Sequence, residues 1–327
     1  MLVYKYVKKY KRILDITYIH QEVYVVKKIC VIGSLNIDLV VKVDNMPKKG
    51  QTLIGSDFNE VPGGKGANQA VAMARLGGAV NMIGKVGADG FGVRLMEQLK
   101  NNNVNTNYIS VEECATGVAM ITVDKNADNS IVVAPGANFK VDKEYIDKSI
   151  EAINCSDIIV LQLETPLETI KYALKKSKDL GKYTILNPAP AVKLEDELIA
   201  NVDLLTPNET ELEILSGVEI KSDEDIEKAA KTMIEKGVKE LIVTLGSKGS
   251  LYIKKDGSIF KKSYKVKAVD TTAAGDSYTG ALAVALAENK SMEEAMDFAS
   301  RVGALTVMKE GAQSSLPTLE DVLKFEV

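Results

Sequence analysis

Short apolar runs alternate with longer amphipathic stretches along most of this chain. Ile29-Cys30-Val31-Ile32 is apolar on both sides and stops at Gly33; Val80 to Val86, Ile158 to Leu163, Tyr183 to Asn187, Val202 to Leu205 and Glu240 to Leu245 share that character. Runs this short, closed by glycine, proline or a polar residue, read as buried strands of a parallel sheet. Helical stretches lie between them. A Gly-rich loop, Pro62-Gly63-Gly64-Lys65-Gly66, leads into an Ala-rich helix ending at Leu76-Gly77-Gly78. Asp89-Gly90-Phe91-Gly92 opens a helix to Leu99, and helices are predicted over Val141 to Ile153, Pro166 to Leu180, from Asn208 onward, Ser222 to Lys236 and Ser277 to Ala287. The βαβα order predicts an α/β fold with a mostly parallel sheet covered by helices.

Four segments break this rhythm. Leu39 to Val43, Gln51 to Phe58, Thr116 to Val123 and Ser130 to Val133 read as strands without intervening helices. They predict a small β-sheet lid, built from about 38–62 and 114–136, that covers a site and excludes water. Its exposed edges could pair between subunits.

Composition narrows the chemistry. Of 327 residues, 46% are hydrophobic and 26% charged, as in globular proteins, and the formal net charge of -4 gives no reason to expect nucleic acid or anionic membrane as partner. No apolar run reaches the roughly 18 residues of a membrane span. Cys30, Cys114 and Cys155 form no disulfide or zinc spacing, which predicts a reducing cytoplasmic setting. The basic, tyrosine-rich residues 1–27 read as an unstructured or adventitious extension, with a basic surface-binding arm as the alternative; the ordered domain is expected over 28–327. The one histidine, His20, lies in that extension. Histidine-based triads and zinc sites are thereby set aside, and proton transfer falls to a carboxylate, lysine or tyrosine.

Polar residues collect where the predicted strands end: Asn36 and Asp38, Glu164, Asn187, Asn208 with Glu211, Thr244 with Gly246. Each alone reads as a cap or turn, yet strand ends of an open α/β sheet are where ligands bind. Asp270-Thr271-Thr272-Ala273-Ala274-Gly275-Asp276 puts a turn of small residues between two acids and runs into an apolar helix. Unpaired N–H groups at such a helix start attract anions. By itself the stretch reads as a turn with Asp276 as helix cap; an acid working beside an anion site is the second reading. Neither G-x-x-x-x-G-K-[ST] nor G-x-G-x-x-G occurs, so the P-loop and the dinucleotide fingerprint are absent.

Over residues 28–320 these motifs resemble the phosphofructokinase-B-type carbohydrate kinases. The two signature segments are Gly63-Gly64-Lys65-Gly66-Ala67-Asn68 and Asp270 to Asp276. Gly33 to Asp38, Leu161-Gln162-Leu163-Glu164, Asn187-Pro188-Ala189-Pro190, Thr206 to Glu211 and Lys309-Glu310-Gly311-Ala312-Gln313 resemble the branch that phosphorylates D-ribose. The resemblance implies a three-layer α/β/α fold and transfer of the ATP γ-phosphoryl to the 5-hydroxyl of ribose. It implies Asp276 as general base, with the N–H groups of Ala273, Ala274 and Gly275 as anion hole. Asn36, Asp38, Gly63, Gly64, Lys65, Asn68 and Glu164 would hold the sugar. Asn208, Thr244, Leu245, Gly246, Ser247, Lys248 and Gly249, together with Gly275 and Ser300, match nucleotide-binding positions. Glu211 would act on Mg²⁺ through water. Asp270, Thr272, Thr306, Lys309, Gly311 and Ser315 would surround an activating K⁺; the family commonly has arginine at 309. A homodimer through the lid is implied. The same chemistry on deoxyribose, fructose or adenosine is the nearest alternative, and a non-catalytic sugar- or nucleotide-binding regulator is the other.

Overall fold

Consecutive residues of the buried strands face opposite sides of one sheet, and each side is covered by its own set of helices. The computed structural model describes residues 28–126 and 128–326; the extension expected over 1–27 lies outside the described residues. The chain runs β1 (Lys28–Ile32), β2 (Asn36–Lys42), β3 (Asp57–Gly63), α1 (Lys65–Arg75), β4 (Ala79–Gly87), α2 (Gly90–Asn101), β5 (Asn105–Glu112), β6 (Gly117–Val123), β7 (Asn129–Ala134), α3 (Lys143–Lys148) and α4 (Ile150–Asn154). It continues through β8 (Ile158–Leu161), α5 (Leu167–Asp179), β9 (Tyr183–Leu186), α6 (Asp196–Ile199), β10 (Leu204–Leu205), α7 (Glu209–Ser216), α8 (Asp223–Glu235), β11 (Glu240–Thr244), β12 (Gly249–Lys254), β13 (Gly257–Lys262), α9 (Ala274–Ala287), α10 (Met292–Val307) and α11 (Leu319–Leu323).

The large sheet has nine strands in the order β13-β12-β11-β10-β9-β8-β1-β4-β5. From β11 to β5 every pairing is parallel, and β12 and β13 add an antiparallel edge. Ile29, Val31, Val160 and Ile185 pack with α1, α9 and α10, whereas Cys30, Ile32, Ile159 and Leu186 pack with the helices between α3 and α8. That division is the three-layer arrangement. Helix α9 is buried from Asp276 to Ala285, as a helix apolar on all sides must be. It lies close to α1: a Cβ on Gly280 would stand 2.9 Å from the Ala72 Cβ, so glycine there sets the spacing of the two helices.

The smaller sheet is ordered β3-β2-β6-β7, with β2 and β6 parallel and the outer pairings antiparallel. Its strands join the body at Asn36, Gly63, Gly117 and Ala134.

Several elements differ from the sequence expectation. The strand expected over Gln51 to Phe58 forms instead at Asp57–Gly63, because its register pairs Gly63 with Asn36; Ile54, 98% exposed, has nothing to pack on. The helix expected over 141–153 is two short helices separated at buried Ser149. Strand β5, helix α10 and the β12–β13 hairpin were not anticipated, although Asp256-Gly257 is a hairpin signal.

Candidate active site

Strand β1 has β4 on one side and β8 on the other, and the chain turns back from the β4–β5 side to β8, so a crevice is expected at the carboxyl end of β1. Ser34, Gln162, Asn187, Thr206 and Thr244 each sit at the carboxyl end of a parallel strand around this crevice. Helix α9 brings in Asp276 and helix α1 brings in Lys65, Asn68 and Gln69. A cavity of about 200 Å³ lies among them. Of the residues singled out from the sequence, Lys65, Asn187, Asn208, Glu211, Thr244, Ala273, Ala274, Gly275 and Asp276 line it.

Asp276 is not the cap of α9. Ala273 is the cap residue, held in the left-handed region at φ 60, and Asp276 is the third residue inside. A left-handed non-glycine residue costs about 1–2 kcal/mol, and strain of this kind gathers at functional turns. The Ala274 N–H donates to the Thr271 carbonyl at 3.2 Å, whereas the Ala273, Gly275 and Asp276 N–H groups have no partner among the described residues. These are the N–H groups that the start of the helix leaves available to a ligand. Asp276 as a residue is 7% exposed. Its Oδ2 accepts from Asn68 Nδ2 and its Oδ1 from Gln69 Nε2, both at 3.0 Å.

A second carboxylate is anchored nearby. Glu164 Oε2 accepts from the Ser34 hydroxyl at 2.5 Å and from the Lys65 N–H at 3.0 Å. Asn36 Oδ1 accepts from Asn138 Nδ2 at 2.7 Å, and Asn138 also bonds both the N–H and the carbonyl of Leu35. The Asp38 carboxylate lies directly over Gly63, where any Cβ would strike it, and Gly64 has φ 87 with its Cα against the backbone of Ser34 to Asn36. These two glycines let the loop fold back against β2. Burial, then the charges of Glu164 and Asp276, push the Asp38 carboxyl up to about 7, with Lys65 opposing. Burial works against the Lys65 ammonium, but Asp276, Glu164, Glu211 and Asp38 outweigh it and hold the lysine protonated.

Asn208 and Glu211 form a capping box on α7: Asn208 Oδ1 accepts from the Glu211 N–H at 2.8 Å and Glu211 Oε2 from the Asn208 N–H at 2.9 Å. Burial raises the Glu211 carboxyl; its Oε1 has no partner among the described residues. Leu245 to Gly249 form the turn between β11 and β12, where the Leu245 N–H donates to the Gly249 carbonyl and exposed Lys248 reaches Glu209 and Asp223. Ser300 does not line the cavity; it is buried beside the Tyr278 hydroxyl, which donates to Ser250.

Asp270 belongs to a separate cluster. Its Oδ1 accepts from the Thr272 N–H and hydroxyl, and its Oδ2 from the Gly311 N–H at 2.8 Å. Burial opposes its charge, but these bonds prevail and hold the carboxyl below its ordinary range. The Asp270 and Val269 N–H groups donate to the Val307 carbonyl, so the 269–272 turn is tied to the end of α10 and to the segment carrying Lys309 and Gly311. Thr306 and Ser315 are both fully buried there. The Thr306 hydroxyl donates to the Val302 carbonyl and the Ser315 hydroxyl to the Ala312 carbonyl.

With the geometry in place, comparison with known proteins decides the family. Residues 26–319 match the description "pfkB family carbohydrate kinase". The chain belongs to the pfkB family of carbohydrate kinases. A ribokinase of Haemophilus influenzae is 43% identical over 300 residues, spanning 91% of this chain and 98% of the relative. A deoxyribokinase of Salmonella typhi is 40% identical over 294 residues, spanning 89% and 96%. The structure of an Arabidopsis thaliana ribokinase complexed with ribose and ATP superposes with a TM-score of 0.87 at 35% identity, covering 92% of this chain and 99% of that one.

Sequence reasoning left out Ser34, Gln69, Asn138 and Thr206 as site residues. Ser34 and Gln69 lie beside residues it did single out, so adjacency was an available signal. Asn138 carried none, since it sits in a short turn between two unrelated elements.

Two expectations test the site. A Cβ on Gly275 would meet no atom within 4 Å, so Gly275→Ala should fold at wild-type stability while filling space beside the free N–H groups. Its kcat/KM for nucleotide should fall on the order of 10²-fold, because the added methyl would displace the phosphoryl group while the N–H is kept, against an unchanged urea midpoint. Because the Asp38 carboxyl is raised in the folded state, the folded protein binds the extra proton between about pH 4 and pH 7, and stability falls as pH rises through that window. Urea unfolding at pH 5 and pH 8 should show this fall, and Asp38→Asn should reduce it.

Proposed function

We propose that the protein transfers the γ-phosphoryl group of ATP to the 5-hydroxyl of D-ribose. The observation that carries this reading is the Asp276 carboxylate, pinned by Asn68 and Gln69 at the start of a helix whose Ala273, Gly275 and Asp276 N–H groups have no partner among the described residues, in a chain that matches ribokinases over nine-tenths of its length. Asp276 would accept the hydroxyl proton as the sugar oxygen attacks the γ-phosphorus and ADP departs. Phosphoryl transfer asks a protein mainly for positioning and charge stabilisation, and the free N–H groups with the Lys65 ammonium supply the positive side. Asn36, Asp38, Glu164 and Asn68 offer amides and carboxylates able to bond neighbouring hydroxyls. Asn208 and the 244–249 turn would take the nucleotide.

Four carboxylates around one lysine leave the site short of positive charge for a triphosphate. Mg²⁺ brought with ATP would supply it, with Glu211 reaching the ion through water. The Asp270 cluster would hold K⁺ behind the turn, with Thr272, Thr306, Lys309 and Gly311 offering carbonyls and Ser315 its hydroxyl. The small sheet would act as a lid over the sugar. It leaves Phe58, Met120, Ile131, Val132 and Val133 about half exposed or more, an apolar surface that a second copy of the chain would cover. The three cysteines, all free thiols, fit a cytoplasmic setting.

A second substrate stays in view because the deoxyribokinase relative is nearly as similar as the ribokinase. With Mg-ATP, ribose should give the highest kcat/KM in a panel containing 2-deoxyribose, fructose and adenosine; a deoxyribose preference would reassign the substrate. Asp276→Asn should abolish turnover with ribose binding kept, whereas Asp270→Ala should mainly weaken activation by K⁺. Light scattering should report a dimer, and charged residues at Ile131 and Val133 should split it; a monomeric wild type would remove the lid interface.

A further inference from the structure

Gln69, Gln162 and Asn187 are buried amides that the sugar, nucleotide and cation roles do not use, and they form one chain ending on Asp276. Gln162 Nε2 donates to Gln69 Oε1 at 2.7 Å. Gln69 Nε2 donates at once to Asp276 Oδ1 at 3.0 Å and to Asn187 Oδ1 at 3.1 Å, and Asn187 Nδ2 donates to the Thr206 carbonyl at 3.1 Å. Gln69 is fully buried and Gln162 is 1% exposed.

Resting on the reading of Asp276 as the base, we propose that Gln69 is its positioning residue, with Gln162 and Asn187 fixing the direction of the Gln69 amide. Both Gln69 N–H bonds are spent on oxygens and its own oxygen faces an N–H donor. Turning the amide over would set oxygen against the Asp276 carboxylate and against Asn187, and nitrogen against the Gln162 NH₂ group. The orientation is thus determined from three sides. The donors to Asp276 are neutral amides, which fix the direction of the carboxylate without cancelling its charge, as a proton acceptor requires. Room for the chain is made at Gly33, where a Cβ would strike Gln162 Oε1. That oxygen has no hydrogen-bond partner among the described residues, so Gln162 contributes through its NH₂ group alone. One buried unpartnered oxygen is retained to keep this donor in place, which a residue serving only the core would not require.

The experiment compares Gln69→Met and Gln162→Met with the wild-type protein, by steady-state kinetics with Mg-ATP and ribose and by ribose-binding calorimetry. Gln69→Met should lower kcat about 10- to 100-fold, with both KM values and the ribose Kd within about threefold. Gln162→Met removes a single donor one bond further back and should lower kcat about three- to tenfold in the same pattern. Since Gln69 acts through Asp276, adding Gln69→Met to Asp276→Asn should leave the residual single-turnover rate unchanged. Unaltered kcat in Gln162→Met, losses confined to KM, or an additive loss in the double variant would overturn the proposal. If Gln69→Met does not fold, Gln162→Met decides alone. A fully active Asp276→Asn would instead overturn the base assignment, which separates the two failures.

Discussion

The close contact between α1 and α9 is the constraint on which the site depends. Glycine at 280 lets the two helices approach until Asn68 and Gln69 on one can reach Asp276 on the other. A larger side chain there would force the backbones apart or push side chains off rotamer. The two carboxylate bonds would be lost with that displacement, because a hydrogen bond does not survive an extra ångström. The apolar packing on this face of the sheet and the geometry of the acid are therefore one problem. The Ala-rich composition of both helices, which looks unremarkable as core, is what allows the approach.

Around this contact the molecule separates its charges by task. Asp276 is addressed by neutral amides, Asp270 by hydroxyl and backbone N–H groups, Glu164 by Ser34 and a backbone N–H, and Glu211 by a helix cap. Among the described residues, none of the four has a lysine or arginine in direct ion-pair contact. By contrast, Asp203, away from the cavity, is bound by Lys178 and Lys239. Neutral donors are not confined to the crevice, since Asp89 is held by Thr116 and the Gly92 N–H and Glu240 by the Tyr183 and Tyr252 hydroxyls; around the crevice they leave the carboxylates without a bound cation.

The fold was legible in the sequence to the extent that local pattern reports burial. Buried parallel strands are short and apolar on both sides, so β1, β4, β8, β9 and β11 stood out. Strand β5 and helix α10 mix polar and apolar residues without a clear period, and β3 is defined by pairing with β2 rather than by its own residues. In the site, the acids and glycines each read alone as caps or turns, and only their resemblance to a family pattern marked them as candidates. Gln69 was not marked, because a glutamine inside an Ala-rich helix looks like ordinary helix former until a residue 207 positions away is brought against it. Ser34 and Asn138 were hidden for the same reason: each acts on a neighbour of interest and touches no ligand position itself. The place of Asp276 inside the helix was also beyond local reading, since it turns on Ala273 adopting a left-handed backbone.

The lone lysine among Asp38, Glu164, Glu211 and Asp276 has a bearing on the end of a catalytic cycle as much as on its start. A neutral polyol enters such a ring of carboxylates without electrostatic cost. A phosphate ester made from it would carry close to two negative charges and would face the same ring. Repulsion that is silent toward a neutral sugar would then act on its phosphate, so the charge pattern that admits the one would favour departure of the other.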